Sequence, residues 1–321
     1  MLCFCFVRSR EPYTGLALTS LRPDDIEYHL NPHFPELKLA ALVSAYVGNP
    51  FISTWQVGTE YIYIETDDTE EHVIKTHPMD VTLPLDADGT YSFVVEWGDG
   101  SSAYIVSHDQ AEVKHTYSQP GDYTIHLNGI VNGFAFGLHQ GLPHPRCRQL
   151  LEISQWGCVC LGNKGRQFYD CSRLRVTARD ILDLTHTTDL TAMFAYASAF
   201  NGDVSHWNVS SVTDGKFMFY EARMFNGDVS QWNTSSITSM VSMFHGASVF
   251  NGDVSQWNTS SVTNMASMFR RALAFNSDVS DWNTSLVKDM SCMFRGAESF
   301  TGRPGTAGWD VNACEDDSYM F

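Results

Sequence analysis

The chain lacks any long apolar run. Nowhere in its 321 residues do the roughly 18 consecutive apolar positions occur that a helix needs to cross a bilayer, so no transmembrane segment is expected. Basic residues are scarce: 20 Lys and Arg stand against 37 Asp and Glu, a net charge of −17. Nucleic-acid partners need clusters of Lys and Arg, so that class is set aside. Eight cysteines are present, but none forms a C-x-x-C pair, which removes the usual zinc and thioredoxin patterns. No G-x-S-x-G elbow and no phosphate-binding glycine loop occurs. The 12 histidines are scattered without a Cys or Asp at ligand spacing in the sequence. No catalytic, cofactor-binding or metal residue is assigned, and the chain is expected not to be an enzyme.

The N-terminus offers no clear export signal. Leu2 to Val7 is too short for a signal-peptide core and is followed by Arg8 and Arg10. The segment Leu39 to Ala45 ends in the small-residue pattern of a cleavage site but lies far from Met1. A short amphipathic helix is expected there, with a misplaced start codon as the alternative. Thr66 to Glu71 reads as a solvated acidic loop. Cys147, Cys158, Cys160 and Cys171 cluster, either as buried free thiols or with a disulfide among them. Cys158 and Cys160 would share one face of a strand.

What the chain has in abundance is repetition. A 25-residue unit starts at Phe200, Phe225, Phe250 and Phe275, and Phe300 opens a fifth copy. Such a period means stacked units that contact mainly their neighbours and build an extended surface. In the unit Phe225–Val249, Asp228 to Trp232 alternates and predicts a brief strand. Ile237, Met240, Met243, Phe244 and Ala247 fall on one helical face, Ser235-Ser236 can cap that helix, and Gly246 can stop it. The expectation is therefore a right-handed solenoid with one short parallel strand and one short helix per unit, packed through columns of Phe, Val, Trp and Met. The methionines beside Phe read as core rather than as a soft-metal site.

Three polar columns need weighing. Asp203, Asp228, Asp253 and Asp278 would repel one another at strand spacing, so local N–H groups or calcium must offset them. Asn208, Asn233, Asn258 and Asn283 stand in N-x-[ST] sequons, and either bond loop backbones or accept N-glycans. Thr234, Thr259 and Thr284, with Thr213, Thr238 and Thr263, admit an ice- or crystal-binding face, although both columns break, at Val209 and at Lys288. Positions that vary between units, taken as exposed, are the candidates for ligand contact: His206, Gln231, Gln256 and Asp281, then Tyr220, His245, Arg270 and Arg295. The last unit ends at Met320-Phe321, aligned with Met218-Phe219, and is expected to leave an uncovered end that self-associates or continues.

Before the repeats the texture is β. Tyr61 to Ile64, Met79 to Leu85, Tyr91 to Trp97, Ala103 to Val106 and Tyr123 to Ile130 predict strands. Asp86 to Gly89, Asp99-Gly100 and Gln119 to Asp122 predict turns. The segments Trp97-Gly98-Asp99-Gly100-Ser101 and His115-Thr116-Tyr117-Ser118-Gln119-Pro120-Gly121-Asp122-Tyr123-Thr124 resemble the signature of PKD domains, over about residues 78–131. The resemblance implies an Ig-like β-sandwich, with Trp97 and Tyr117 in its core and Asp99 in a turn.

From about Leu150 to Phe321, the run F-N-G-D-V-S-Q-W-N-T-S-S-V-T-N-M-A-S-M-F and its copies resemble the repeats of BspA-like surface proteins. That leucine-rich-repeat-like family is shared with mycoplasma lipoproteins. It implies a cell-surface or secreted protein, without enzymatic activity, that adheres to proteins or glycans through its repeat face; a structural spacer is the alternative. The expected layout is an irregular extension (1–48), a PKD-like β-sandwich (49–135), a junction (136–149), divergent first repeats (150–195) and the 25-residue repeats (196–321). The expected fold class is thus an Ig-like sandwich followed by an α/β leucine-rich-repeat-like solenoid.

Overall fold

Strict alternation builds the first strand. In FISTWQV, Phe51, Ser53, Trp55 and Val57 are buried and the residues between them are half-buried, the period of two that sends side chains to opposite faces of a sheet. Ser53 is accommodated because its hydroxyl accepts the Trp55 indole N–H at 2.8 Å. The computed structural model describes residues 49–321 apart from 60, 67–70, 77, 140–141 and 144–145. The expected extension 1–48, its helix at 39–45, Cys3, Cys5 and the centre of the acidic loop lie outside the described residues.

The strands, in chain order, are β1 (Phe51–Val57), β2 (Tyr61–Thr66), β3 (Glu71–Thr76), β4 (Asp80–Thr82), β5 (Leu85–Glu96), β6 (Ser102–Ile105) and β7 (Lys114–Thr116). They continue with β8 (Gly121–Phe134), β9 (Leu138–His139), β10 (Leu142–Pro143), β11 (Leu150–Gln155), β12 (Val159–Cys160) and β13 (Arg175–Val176). A seven-stranded mixed sheet has the order β13-β11-β1-β8-β5-β6, with β12 added to β8. β12 pairs with β8 and β13 with β11 in parallel, and the other neighbours in this sheet are antiparallel. β2–β3, β4–β7 and β9–β10 form separate two-stranded pairs.

The segment Asp86-Ala87-Asp88-Gly89 does not turn the chain. It lies inside β5, where Leu85 faces Phe134 and Thr90 faces Asn132, so the extra residues loop out as a wide irregularity. The Tyr91 hydroxyl clamps it, contacting the Asp86 carbonyl at 2.8 Å and the Gly133 carbonyl at 2.7 Å. Asp99-Gly100 does turn the chain between β5 and β6. Trp97 and Tyr117 are buried, and the Tyr117 hydroxyl donates to the Trp97 carbonyl at 2.9 Å.

Leu150–Gln155, read from the sequence as the start of the repeats, is hydrogen-bonded to β1 on one side and to β13 on the other. The sheet therefore continues from the β region into the first repeats, and one hydrophobic cluster runs from Phe51 to Trp309. Gly157 marks the seam. Its φ is +51° and a Cβ there would lie 2.0 Å from the Pro50 carbonyl oxygen. The Asp180 carboxylate holds this bend by accepting the Trp156 and Gly157 N–H groups at 3.0 and 2.7 Å.

The repeats overturn the expected α/β solenoid. No helix forms in the 25-residue units up to Phe300; among the described residues the α-helical turn Arg303–Thr306 lies in the last unit, and two 3-10 turns, Ala111–Val113 and Cys147–Gln149, lie before the repeats. Asp228 to Trp232 is not a strand either. The structure is nearly all β and turns. The units meet through single parallel bridges in the column Asp189, Asp214, Ser239, Asn264, Asp289 and Asp316.

The reason lies in where the peptide groups point. Met240, Ser242, Phe244 and Gly246 donate their N–H groups to Asn264, Ala266, Met268 and Arg270 of the next unit, at 2.8–3.0 Å. Met243, His245 and Ala247 donate to the residue three back, at 3.1–3.2 Å. Every second amide thus runs along the stack and the others close tight turns. A helix would consume all of these groups internally and leave none for the neighbour.

The expected core columns are nonetheless in place. Ile237, Met240, Met243, Phe244 and Ala247 are all buried. The Phe225, Phe250, Phe275 and Phe300 rings stack at 5.8–6.1 Å, and the Trp232, Trp257, Trp282 and Trp309 rings at 6.1–6.4 Å. A second column, Phe219, Phe244, Phe269 and Phe294, stacks at 5.5–5.7 Å, and Phe321 continues it by stacking on Phe294 at 5.8 Å. Among the described residues no helix is long and apolar enough to cross a membrane.

Candidate functional site

Most polar side chains that recur in the repeats are committed to the fold. Each Trp indole N–H from Trp232 onward donates to a Val carbonyl of the preceding unit at 2.9–3.0 Å. The side-chain oxygens of Asn201, Asn226, Asn251 and Asn276 each accept a backbone N–H from the next unit at 2.8 Å. This asparagine ladder went unread in the sequence; its signal was the Asn that follows Phe200, Phe225, Phe250 and Phe275. Thr234, Thr259 and Thr284 are fully buried and donate to carbonyls of the following unit, so they present nothing to an ice or crystal surface. Thr213, Thr238 and Thr263 are exposed, but each hydroxyl donates to the Thr carbonyl one unit back at 3.1–3.2 Å.

The aspartate column behaves as a set of local turn braces. Asp203, Asp228, Asp253 and Asp278 each accept the Ser N–H two residues on at 2.9 Å. The hydroxyl and N–H of Ser205 hold the Asp203 carboxyl below the usual range. The N–H and hydroxyl of Ser255 and Ser280 do the same for Asp253 and Asp278. Among the described residues no group of three His, Cys, Asp or Glu side chains converges as a metal site requires. Asn208, Asn233, Asn258 and Asn283 are exposed, and their side-chain oxygens accept the N–H and hydroxyl of the Ser two residues on, at 2.7–3.2 Å. Cys147, Cys158, Cys160 and Cys171 are free thiols, and burial pushes all four up from the ordinary thiol value.

The eight candidate contact residues separate into two unlike columns. His206, Gln231, Gln256 and Asp281 are all exposed. Tyr220 and Arg270 are half-buried and Arg295 is exposed, but His245 is 8% exposed, which corrects its placement on the open surface. Its ring packs against Tyr220 at 4.7 Å, and burial followed by the Arg270 charge lowers its pKa, so it is neutral at neutral pH. Gln231 and His245 are 14 residues apart in a 25-residue unit, and no hydrogen bond or ring contact among the described residues joins the two columns.

One Ser/His/Asp cluster lies in the β region. His115 Nε2 contacts Asp99 at 2.7 Å and Ser101 Oγ at 3.3 Å. In a nucleophilic triad the two partners sit on different imidazole nitrogens. Here both share one, and the His115 ring is stacked on Trp97 at 5.0 Å. Burial raises the Asp99 pKa, but hydrogen bonds from Ser101 and His115 outweigh it and hold it at about 2. The cluster braces the turn. Residues 16 apart in sequence gave no spacing signal for it, although both belong to the two-part motif around Trp97 and Tyr117.

A family model described as "Mycoplasma protein of unknown function, DUF285" matches residues 147–244 and 225–321, together more than half of the chain. No curated protein and no solved structure matches the chain.

Proposed function

The chain belongs to the DUF285 family of Mycoplasma-type repeat proteins, which is related to BspA-like surface repeat proteins, and from that premise we propose that it is a non-enzymatic adhesion module. It acts at the cell surface or outside the cell, and its repeat stack contacts a protein or glycan. The observation that carries this reading is a division of labour. The invariant Phe, Trp, Asn and Asp positions are spent on packing, inter-unit bonds and turns. His206, Gln231, Gln256 and Asp281 vary, are exposed, and carry no inter-unit hydrogen bond among the described residues. The segment before the repeats is read as a PKD-like module, supported by its buried Trp97–Tyr117 pair.

The test is a cell- or matrix-binding assay with the whole chain, paired with protease accessibility on intact source cells. Binding that falls when the four exposed positions are exchanged for Ser supports the reading. A protein shielded inside the cell, or an intact chain that binds neither cells nor matrix, overturns it. A second reading, a rigid spacer, is supported by the β1–β11 seam and the unbroken core. It predicts no ligand and an end-to-end length that shortens when whole 25-residue units are deleted.

A further inference from the structure

The column that contains His245 borders a strip of aromatic and basic side chains, in which the carboxylate beside it, Glu221 at Gly246, is paired with Arg223. At one end Tyr196 is 41% exposed and Phe217 36% exposed. Their rings meet Tyr220 at 5.2 and 5.7 Å, so three aromatic side chains share one patch. Along the stack the same column continues as Arg270 and Arg295, with Arg271 beside Arg270. Arg295 is otherwise engaged by the Tyr319 ring, 5.3 Å from the ring centre.

The charge pattern is selective. In residues 196–321, Lys216, Arg223 and Lys288 each meet a carboxylate, on Asp214, Glu221 and Glu315. Arg270, Arg271 and Arg295 meet none among the described residues, in a chain with 37 acidic residues. Three guanidinium groups on two adjacent units, left without a carboxylate of the protein's own, suit a carboxylate supplied from outside, which Arg can grip through two parallel N–H bonds.

We propose that this strip binds a carboxylate-bearing glycan, with sugar faces against Tyr196, Phe217 and Tyr220 and the sugar carboxylate on Arg270, Arg271 and Arg295. The inference rests on the adhesion reading and names its ligand chemistry. The C–H face of a pyranose is apolar and packs flat on an aromatic ring, while its rim carries hydroxyls, which suits amphipathic tyrosines. Successive units of the stack are spaced at about the 4.8 Å of neighbouring strands, close to the length of one pyranose. An acidic peptide would use the arginines but leave the aromatic patch without a role. The net charge of −17 repels densely anionic polymers at long range. That disfavours nucleic acid and favours a mostly neutral oligosaccharide with isolated carboxylates.

The experiment is titration of the full chain with four probes: sialyllactose, a glucuronate-containing oligosaccharide, neutral lactose and tetraglutamate. Either carboxylated sugar should bind at least about tenfold more tightly than lactose and tetraglutamate, and the stronger of the two identifies the source of the carboxylate. The triple variant Arg270→Ser/Arg271→Ser/Arg295→Ser should lose about tenfold in affinity, as expected for exposed charge-assisted contacts. Tyr196→Ala/Tyr220→Ala should lose a similar factor. The triple Arg→Lys variant, which keeps charge without the planar fork, should fall between. Unchanged circular dichroism and melting would exclude unfolding as the cause. The proposal is overturned if neither carboxylated sugar binds, if the arginine variant binds as the parent does, or if tetraglutamate binds equally well and the tyrosines do not matter. That last result marks an acidic-peptide site. Cell or matrix binding that persists in the arginine variant but falls when His206, Gln231, Gln256 and Asp281 are exchanged would sink this inference and leave the adhesion reading standing.

Discussion

The β region and the repeat stack handle tight backbone turns in opposite ways. Between Phe51 and Gly137, every described residue with a left-handed φ is glycine, from Gly58 to Gly137. From Arg166 onward, 11 non-glycine residues take that conformation: Arg166, Asp170, Ala192, Tyr196, Phe217, Glu221, Ser242, Ser267, Arg271, Cys292 and Tyr319. A left-handed L-residue costs about 1–2 kcal/mol. The stack tolerates this because each such turn before the last unit aims alternate amides at the next unit, where they find carbonyls at 2.7–3.0 Å. Strain that an isolated hairpin would shed is held by a hydrogen bond on either side. The β region instead obtains its stability from long strands such as β8, whose partners β1 and β5 come from far away in sequence.

This difference makes the consequences of a core deletion distinct. Phe250 lies between Phe225 and Phe275 at 5.8 and 6.1 Å and against Phe244 at 3.9 Å. Phe250→Ala should destabilise the stack by about 3–5 kcal/mol. The loss should appear in hydrogen exchange as lowered protection in the flanking units, with β5 and β8 spared, because repeats couple mainly to their neighbours. A loss of protection spread evenly over the whole chain would erase the contrast between the regions.

Gly157→Ala tests the seam. Its added Cβ meets the Pro50 carbonyl oxygen, a backbone atom that cannot swing aside. A cost of about 3 kcal/mol is expected from the clash together with the positive φ. The sharper readout is calorimetric: the parent should unfold in a more concerted transition, and the variant should show the β region and the stack melting apart.

How much of this was legible depended on the kind of information. Burial was readable at Ile237, Met243 and Phe244, since an apolar residue recurring in every unit has to face its copies. Backbone conformation was not. The spacing 3, 3, 1, 3 fits a helical face and also fits a chain of tight turns, because side-chain pattern does not say which carbonyl takes an N–H. The same limit applied to Asp228 to Trp232, where alternation suggested a strand and an Asp-braced turn formed instead. Variation between units marked eight surface candidates but could not show that His245 is shielded by Tyr220. Nor could it show that Tyr196, one position off the column, joins it.

Two smaller effects compare polar braces. Asn251 accepts the Asn276 N–H across a unit boundary, so Asn251→Ala should cost about 1 kcal/mol in chemical unfolding, as for a single hydrogen bond. A cost near zero would mean that the ladder is decorative. Asp99 is the counterpart in the β region. Its folded pKa of about 2 lies below the unfolded carboxyl value. A depressed carboxyl pKa contributes stability above the unfolded pKa and loses it as pH falls through the folded one. The β region should therefore weaken between about pH 4 and pH 2, by roughly 1 kcal/mol after solvent screening, and Asp99→Asn should flatten that limb. An acid limb unchanged by the substitution would remove the brace from the account.

The smallest expected effect addresses the strain itself. Ser267 has φ +56°, and its N–H donates to the Ser291 carbonyl at 2.8 Å. Ser267→Gly keeps that backbone bond and removes only the short side chain. Relief of the left-handed conformation favours the variant by about 1 kcal/mol. The greater freedom of glycine in the unfolded chain opposes it by about 0.4–1 kcal/mol. The net should be a gain of a few tenths of a kcal/mol, visible as a slightly higher melting temperature. Gly246→Ala, the reverse change at the second left-handed position of a unit, should lose stability. There the φ is +71° and a Cβ would lie 2.5 Å from a Glu221 carboxylate oxygen, the movable end of a side chain. If Ser267→Gly instead destabilises by more than about 1 kcal/mol, the non-glycine turns carry no strain for the inter-unit bonds to offset. The contrast between the two regions would then reduce to sequence preference.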